Sequence, residues 1–250
     1  MTMLSVNVNK IALLRNSRGR NFPNLCDFVG KLINLKVKGI TVHPRPDERH
    51  VTRQDVFDLT KFLGLYPDVE FNIEGFPSDQ FMELVLAVRP AQCTLVPDEP
   101  DQLTSDHGWD VSDNEQLLTG SLADLRNAGI RSSIFLDPDP DKVEGAKQVG
   151  ADRIELYTEG FAHHFGLESE HALLEAYRVT AACAQALELG VNAGHDLDIK
   201  NLGRFLQIPG ILEVSIGHAL VVESIQYGLE SAIERYLAVC SGEETETHYY

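Results

Sequence analysis

The chain has 250 residues, of which 43% are hydrophobic, and a formal net charge of −17. That is enough apolar material for one sizeable core, about the size of an α/β barrel, and the negative charge opposes unspecific binding to nucleic acid or anionic membranes. Four scattered cysteines with no CxxC signal neither a zinc site nor a disulfide framework, and neither a leader nor a run near the roughly 18 apolar residues of a membrane span is seen, so a cytoplasmic protein acting on small molecules is expected.

The first β-rich run is LSVNVN (4–9), and a purely basic segment follows it: Lys10, Arg15, Arg18 and Arg20 all precede the first acidic residue, Asp27. In an acidic protein such a segment is a candidate anion site. The second run, GITVHP (39–44), breaks off at Pro44 and Pro46, which forbid a ladder or a helix from continuing. The loop that follows holds His43, Arg45, Arg49 and His50, all able to donate hydrogen bonds to an anion, and His43 also titrates near neutral pH. EFNIEG (70–75) ends on Glu74, and QCTLVP (92–97) leads into DEPDQLTSDHGWDVS (98–112), a long polar stretch with the chain's one tryptophan, Trp109. It reads as a closing lid.

The remaining runs are RSSIFLD (131–137), RIELYT (153–158), GVNAGH (190–195) and EVSIGH (213–218). Helical spacing is clearest over 169–190 and 219–240, and Gly129, Gly150 and Gly190 stand where helices end before the next strand. His163, His164 and His171 match no firm metal spacing. Eight alternations of strand and helix predict an α/β fold, a single (β/α)8 TIM barrel over 1–241 with a short polar tail over 242–250. An open doubly wound sheet is the alternative, weakened by the lack of GxGxxG after the first strand.

Catalytic groups in such a barrel sit at the C-terminal ends of the strands. Here those ends carry Asn7, Asn9, His43, Glu74, Asp137, Glu155, His195 and His218, a set suited to proton transfer in a pocket. Gly217 and His218 run straight into a helix, whose free N–H groups with Arg18 make an anion cradle.

NVNKIALLRNSRG, GITVHPRPDERH, EFNIEG, TLVP, NAGHDL and SIGHAL, in that order, resemble the pyridoxine 5′-phosphate synthase family of vitamin B6 biosynthesis, from about Leu4 to Leu237. The resemblance implies a barrel that condenses 1-deoxy-D-xylulose 5-phosphate with 3-amino-2-oxopropyl phosphate, releasing inorganic phosphate and water, with no metal or organic cofactor. It implies His43 and Glu74 as proton acceptors and His195 as proton donor. Arg45, His50 and Thr104 match positions that hold deoxyxylulose phosphate; Asn7, Arg18, Gly217 and His218 match those that hold the aminoketone phosphate. A homo-oligomer built from dimers, an octamer, is also implied. Two positions depart from the commoner pattern. Asn9 and Lys10 stand where an Asp-His pair is usual, so Lys10 is expected to contact deoxyxylulose phosphate directly or through water, and Asp196 stands where some members have glycine. The competing readings are another phosphosugar isomerase or aldolase, which would turn over a single substrate, and a non-catalytic B6-vitamer binder, against which the His43, Glu74 and His195 set argues.

Overall fold

The computed structural model describes residues 1–98, 102 and 105–243. Eight parallel strands close into a barrel in sequence order, with the last paired to the first: β1 (Met3–Asn7), β2 (Gly39–Val42), β3 (Glu70–Gly75), β4 (Gln92–Leu95), β5 (Arg131–Leu136), β6 (Arg153–Tyr157), β7 (Gly190–Gly194) and β8 (Ile211–Ile216). Around them run α1 (Asn9–Asn16), α2 (Leu25–Asn34), α3 (Arg53–Leu63), α4 (Asp79–Val88), α5 (Glu115–Asn127), α6 (Val143–Val149), α7 (Glu159–His164), α8 (Glu170–Ala186), α9 (Leu202–Phe205), α10 (His218–Tyr227) and α11 (Leu229–Ser241). The closed barrel removes the open-sheet alternative. The tail lies outside the described residues from 244 onward.

The strands are built on alternation. Leu4 and Val6, Ile40 and Val42, Phe71 and Ile73, Cys93 and Leu95, and Ile154 and Leu156 are all buried members of the apolar core. Their neighbours along each strand point the other way, because successive side chains of a strand face opposite sides. Those neighbours are polar. Gln92 Nε2 donates to Glu213 Oε2 at 3.3 Å and Asn192 Nδ2 to Gln92 Oε1 at 3.3 Å, contacts between β4, β7 and β8 that only the lumen allows. Higher up, Ser5 and Thr41 share a 2.7 Å hydrogen bond, Asn72 Nδ2 donates to Thr41 Oγ1, and Thr94 Oγ1 reaches both Asn72 Oδ1 at 3.1 Å and Glu155 Oε2 at 3.3 Å. The lumen is thus a hydrogen-bonded polar column inside an apolar sleeve.

Several boundaries differ from the expected ones. The first strand stops at Asn7, because Val8 leaves the extended region (φ −93°, ψ 10°) and Asn7 Oδ1 accepts the Asn9 N–H; Asn9 and Lys10 therefore open α1 and are not strand residues. The apolar pattern over 219–240 is two helices, broken at Gly228 (φ 87°, ψ 145°), a conformation no helix contains. Gly129 and Gly150 do end their helices with positive φ, but before β7 Glu188 takes that role. Gly190 instead opens the strand, where a Cβ would come within 2.8 Å of Arg153 Cγ.

Candidate active site

All the charged strand ends emerge at one mouth, since every strand runs in the same direction. His43 follows β2 directly and is buried. Its backbone N–H donates to Asn9 Oδ1 at 3.0 Å, and Asn9 N–H in turn donates to Asn7 Oδ1 at 3.0 Å. Asn7 at the end of β1 and Asn9 at the start of α1 thus hold the start of the β2 loop in place. Burial, and then the charges of Arg45, His50, His195 and Arg49, push the His43 imidazole well below its ordinary pKa, so it stands neutral with a free lone pair at pH 7. His50, its ring centroid 6.4 Å from that of His43, is lowered to about 4 by burial and then by Arg45 and Arg49. Its Nδ1 accepts the Val51 N–H at 2.9 Å, which leaves Nε2–H as the donor.

Glu74 shows the opposite effect. Burial first, then the charges of Glu155, Asp98 and Glu213, raise it well above the carboxylate range against the pull of Arg45. Glu155 lies in the lumen inside β6, is raised to about 8 by burial and by Glu213, and is opposed only by its hydrogen bond with Thr94. Glu74 is half-buried and Glu155 buried, and with the charge of Glu155 acting on Glu74 the two titrate as a pair and do not both ionise near neutrality. Glu155 belongs to the strand-end set that the sequence marks as suited to proton transfer, though the family resemblance gives it no individual role. Its signal was the alternation of RIELY, in which one acid interrupts an apolar run.

His195 sits just past β7 in the left-handed region (φ 93°), followed by Asp196 (φ 56°), a conformation that costs non-glycine residues energy and persists only when its surroundings impose it. Here Thr158 imposes it: Oγ1 donates to Gly194 O at 2.7 Å and also to His195 O. The imidazole packs edge-on to Tyr157 at 5.1 Å between ring centroids, with Asp196 Oδ2 3.5 Å from Nδ1. The hydrogen bond with His195, against the effect of burial, and then the charges of His195, His218 and Lys10 lower Asp196. A Cβ on Gly194 would lie 2.5 Å from Glu155 Oε1, so any larger residue there would push the carboxyl aside. The Glu155 carboxyl thus lies against the backbone of β7 one residue before His195.

Asn7 and Gly217 also meet: a Cβ on Gly217 would come within 3.3 Å of the Asn7 side chain. No side chain caps α10, which begins at His218, so its first N–H groups face the mouth and favour an anion. Arg45 is buried, with Nη1 donating to Gln102 O at 2.8 Å and Nη2 paired with Asp98. Lys10 is exposed on the first turn of α1, where its charge acts on both His50 and Asp196. Arg18 is exposed beyond the end of α1 and is joined to no other site residue among the described ones. Thr104 lies outside the described residues.

The expected lid needs correction at its far end. Trp109 is 1% exposed, its Nε1 donates to Leu95 O at 2.8 Å, and its N–H donates to Phe135 O at 2.8 Å. Gly108 beside it passes so close to β5 that a Cβ would lie 2.3 Å from Asp137 N. Trp109 is a fixed anchor of the barrel wall.

Comparison with known proteins gives a consistent set. The family described as "Pyridoxal phosphate biosynthesis protein PdxJ" matches residues 4–242. A pyridoxine 5′-phosphate synthase from Bacteroides fragilis is 48% identical over 237 residues, covering 94% of this chain and 98% of the relative, and one from Cytophaga hutchinsonii is 49% identical over 238 residues, covering 95% and 98%. Among solved structures, 3-hexulose-6-phosphate synthase from Salmonella typhimurium superposes with a TM-score of 0.64 at 11% identity, covering 97% of this chain and all of that one. That likeness speaks to the barrel alone.

Proposed function

The chain belongs to the PdxJ family of pyridoxal phosphate biosynthesis proteins, and from that premise we propose that it is a pyridoxine 5′-phosphate synthase working through the groups gathered at its barrel mouth. It condenses 1-deoxy-D-xylulose 5-phosphate with 3-amino-2-oxopropyl phosphate to pyridoxine 5′-phosphate, inorganic phosphate and water. Ring closure requires an imine to form, water and phosphate to leave, and a carbon acid to be deprotonated, and each of these steps moves a proton.

The observation that supports the reading best is the gathering at one mouth of His43 and His50 after β2 and of Glu74 and Glu155 on β3 and β6, where burial lowers the histidines and raises the acids. His43 takes a proton without first having to lose one. The Glu74–Glu155 pair carries one proton that either carboxyl can give to a departing hydroxyl and take back, and His195 serves as the donor on the other side. Arg45 and the Nε2–H of His50, with Lys10 and Thr104, hold the deoxyxylulose phosphate. Asn7, Gly217, His218 and the start of α10 hold the aminoketone phosphate, and Arg18 adds attraction from outside the mouth. In this reading Asn9 acts on substrate through the backbone of His43.

Residues 1–241 form the catalytic domain in this proposal, and the protein works in the cytoplasm. Among the described residues no helix is long and apolar enough to cross a membrane. The assembly is a homo-oligomer of dimers, an octamer. It is supported by Leu13 and Leu14 on α1 and Val222, Ile225 and Tyr227 on the neighbouring α10, all exposed; light scattering gives its mass. The test of the function is direct: purified protein with both substrates should yield pyridoxine 5′-phosphate and free phosphate together. Turnover of one phosphosugar without the aminoketone would replace this reading with an isomerase or aldolase, and binding of a B6 vitamer without turnover would replace it with a binding protein.

A further inference from the structure

Just past β4, Asp98 is 4% exposed. One carboxylate oxygen is fully engaged: Oδ2 is paired with Arg45 Nη2 and accepts the Ser105 hydroxyl at 2.8 Å. The other, Oδ1, is buried and has no hydrogen-bond partner among the described residues. A buried charged oxygen without a donor is costly, and the cost disappears when a donor arrives. Asp98 lines a cavity of about 170 Å³ together with His43, Arg45, Phe76, Phe81 and Leu84, so a ligand held there lies against both the unpartnered carboxylate residue and the base.

The chemistry of the missing donor can be narrowed. Arg45 already neutralises Asp98, so the pair offers no net charge to a cation, and the fitting donor is a neutral group. Between the two substrates only deoxyxylulose phosphate has carbon-bound hydroxyls; the aminoketone phosphate offers a ketone, which accepts, and an amine committed to imine formation. The geometry points to Asp98 as a specificity-determining residue whose Oδ1 accepts a hydrogen bond from one hydroxyl of deoxyxylulose phosphate while Oδ2 fixes the guanidinium of Arg45. This assignment rests on the synthase reading above and names the contact that selects the sugar.

A site built to bond a hydroxyl rejects the analogue lacking it far more strongly than an apolar pocket rejects a missing methylene, because the buried acceptor is left bare. Calorimetric titration of the wild-type protein with deoxyxylulose phosphate and with its 3-deoxy and 4-deoxy analogues should show one analogue binding about 10²-fold more weakly than the parent. In Asp98→Ala the parent should weaken to the level of that analogue, the two then agreeing within about twofold. Asp98→Asn, which keeps the shape and an acceptor without the charge, should retain an intermediate ratio of about tenfold and serves if the alanine variant does not fold. Equal binding of all three ligands by the wild type overturns the assignment. So does a parent-to-analogue ratio that survives in Asp98→Ala, since loss of Arg45 positioning alone would weaken both ligands together. Wild-type protein that binds neither parent nor analogues overturns the synthase reading itself and the assignment with it.

Discussion

Around β2, burial acts on imidazoles: His43 and His50 are both driven below their ordinary pKa, and the neighbouring cations Arg45 and Arg49 push the same way. In the lumen between β3 and β6, burial acts on carboxyls: Glu74 and Glu155 are driven up, and neighbouring acids reinforce the shift. One physical cause, removal of charge from water, therefore empties the histidines of protons and fills the acids. Arg45 pulls against the rise of Glu74, and burial with the surrounding acids outweighs that pull. Keeping like charges together is what sets a base and an acid side by side at one pH.

The sharpest break of this contrast is removal of its two poles. His43→Asn and Glu74→Gln should each lower kcat by about 10²-fold or more. Because Glu74→Gln puts a neutral isostere in place of a half-buried carboxyl whose pKa is raised, its melting temperature should stay near that of the wild type. Steady-state kinetics with calorimetry on the same samples checks both, and full turnover by either variant would remove that residue from the chemistry.

Next in size is Glu155. A carboxyl whose folded pKa is raised binds its proton more tightly in the native state, so its contribution to stability is complete below the ordinary carboxylate pKa and is lost as pH rises to about 8. Wild-type protein should therefore lose about 5 °C or more of melting temperature between pH 5 and pH 9 relative to Glu155→Gln. In kcat/KM an alkaline limb should fall near pH 8 in the wild type and move in the variant. Coincident curves for the two proteins would mean that Glu155 holds no such proton.

How much of this was legible from residues alone is clearest on β3 and β6. EFNIEG and RIELYT displayed their alternation, and the loop after GITV displayed its prolines and histidines, so the barrel, its polar mouth and the candidate groups His43, Glu74 and His195 could be read directly. The pairing of Glu74 with Glu155 could not. Eighty-one positions separate them in the sequence, and only closure of the barrel brings β6 toward β3. Asn9 is a similar case. Its place in NVNK marks it as a candidate ligand; what the residues alone do not show is that Val8 leaves the extended region and Asn9 Oδ1 accepts the His43 N–H. Strand ends are poorly fixed by local pattern because what stops a strand is the turn its loop must make. Trp109 misled for a related reason, since a polar neighbourhood in sequence gave no sign of the β4 and β5 carbonyls it bonds.

Smaller effects follow from those two residues. Asn9→Ala removes the acceptor for the His43 N–H and should lower kcat/KM about tenfold, whereas Asn9→Asp keeps the acceptor and should stay within about threefold of the wild type; equal losses in both variants would show that the carbonyl acceptor is not what counts. For Trp109, fluorescence on saturation with deoxyxylulose phosphate should barely shift, because its ring is bonded to Leu95 O and its backbone N–H to Phe135 O. A large shift would place it on a moving segment after all.

The contrast between the two regions can be tested most directly by locating the proton on the acid pair. Infrared difference spectra of wild type minus Glu74→Gln and wild type minus Glu155→Gln, recorded at pH 7 and again above pH 9, report protonated and ionised carboxyls separately. The account predicts a protonated-carboxyl band at pH 7 that is lost in the variants and that weakens in the wild type as pH rises. Spectra in which both glutamates contribute only ionised-carboxylate bands at pH 7 would contradict it.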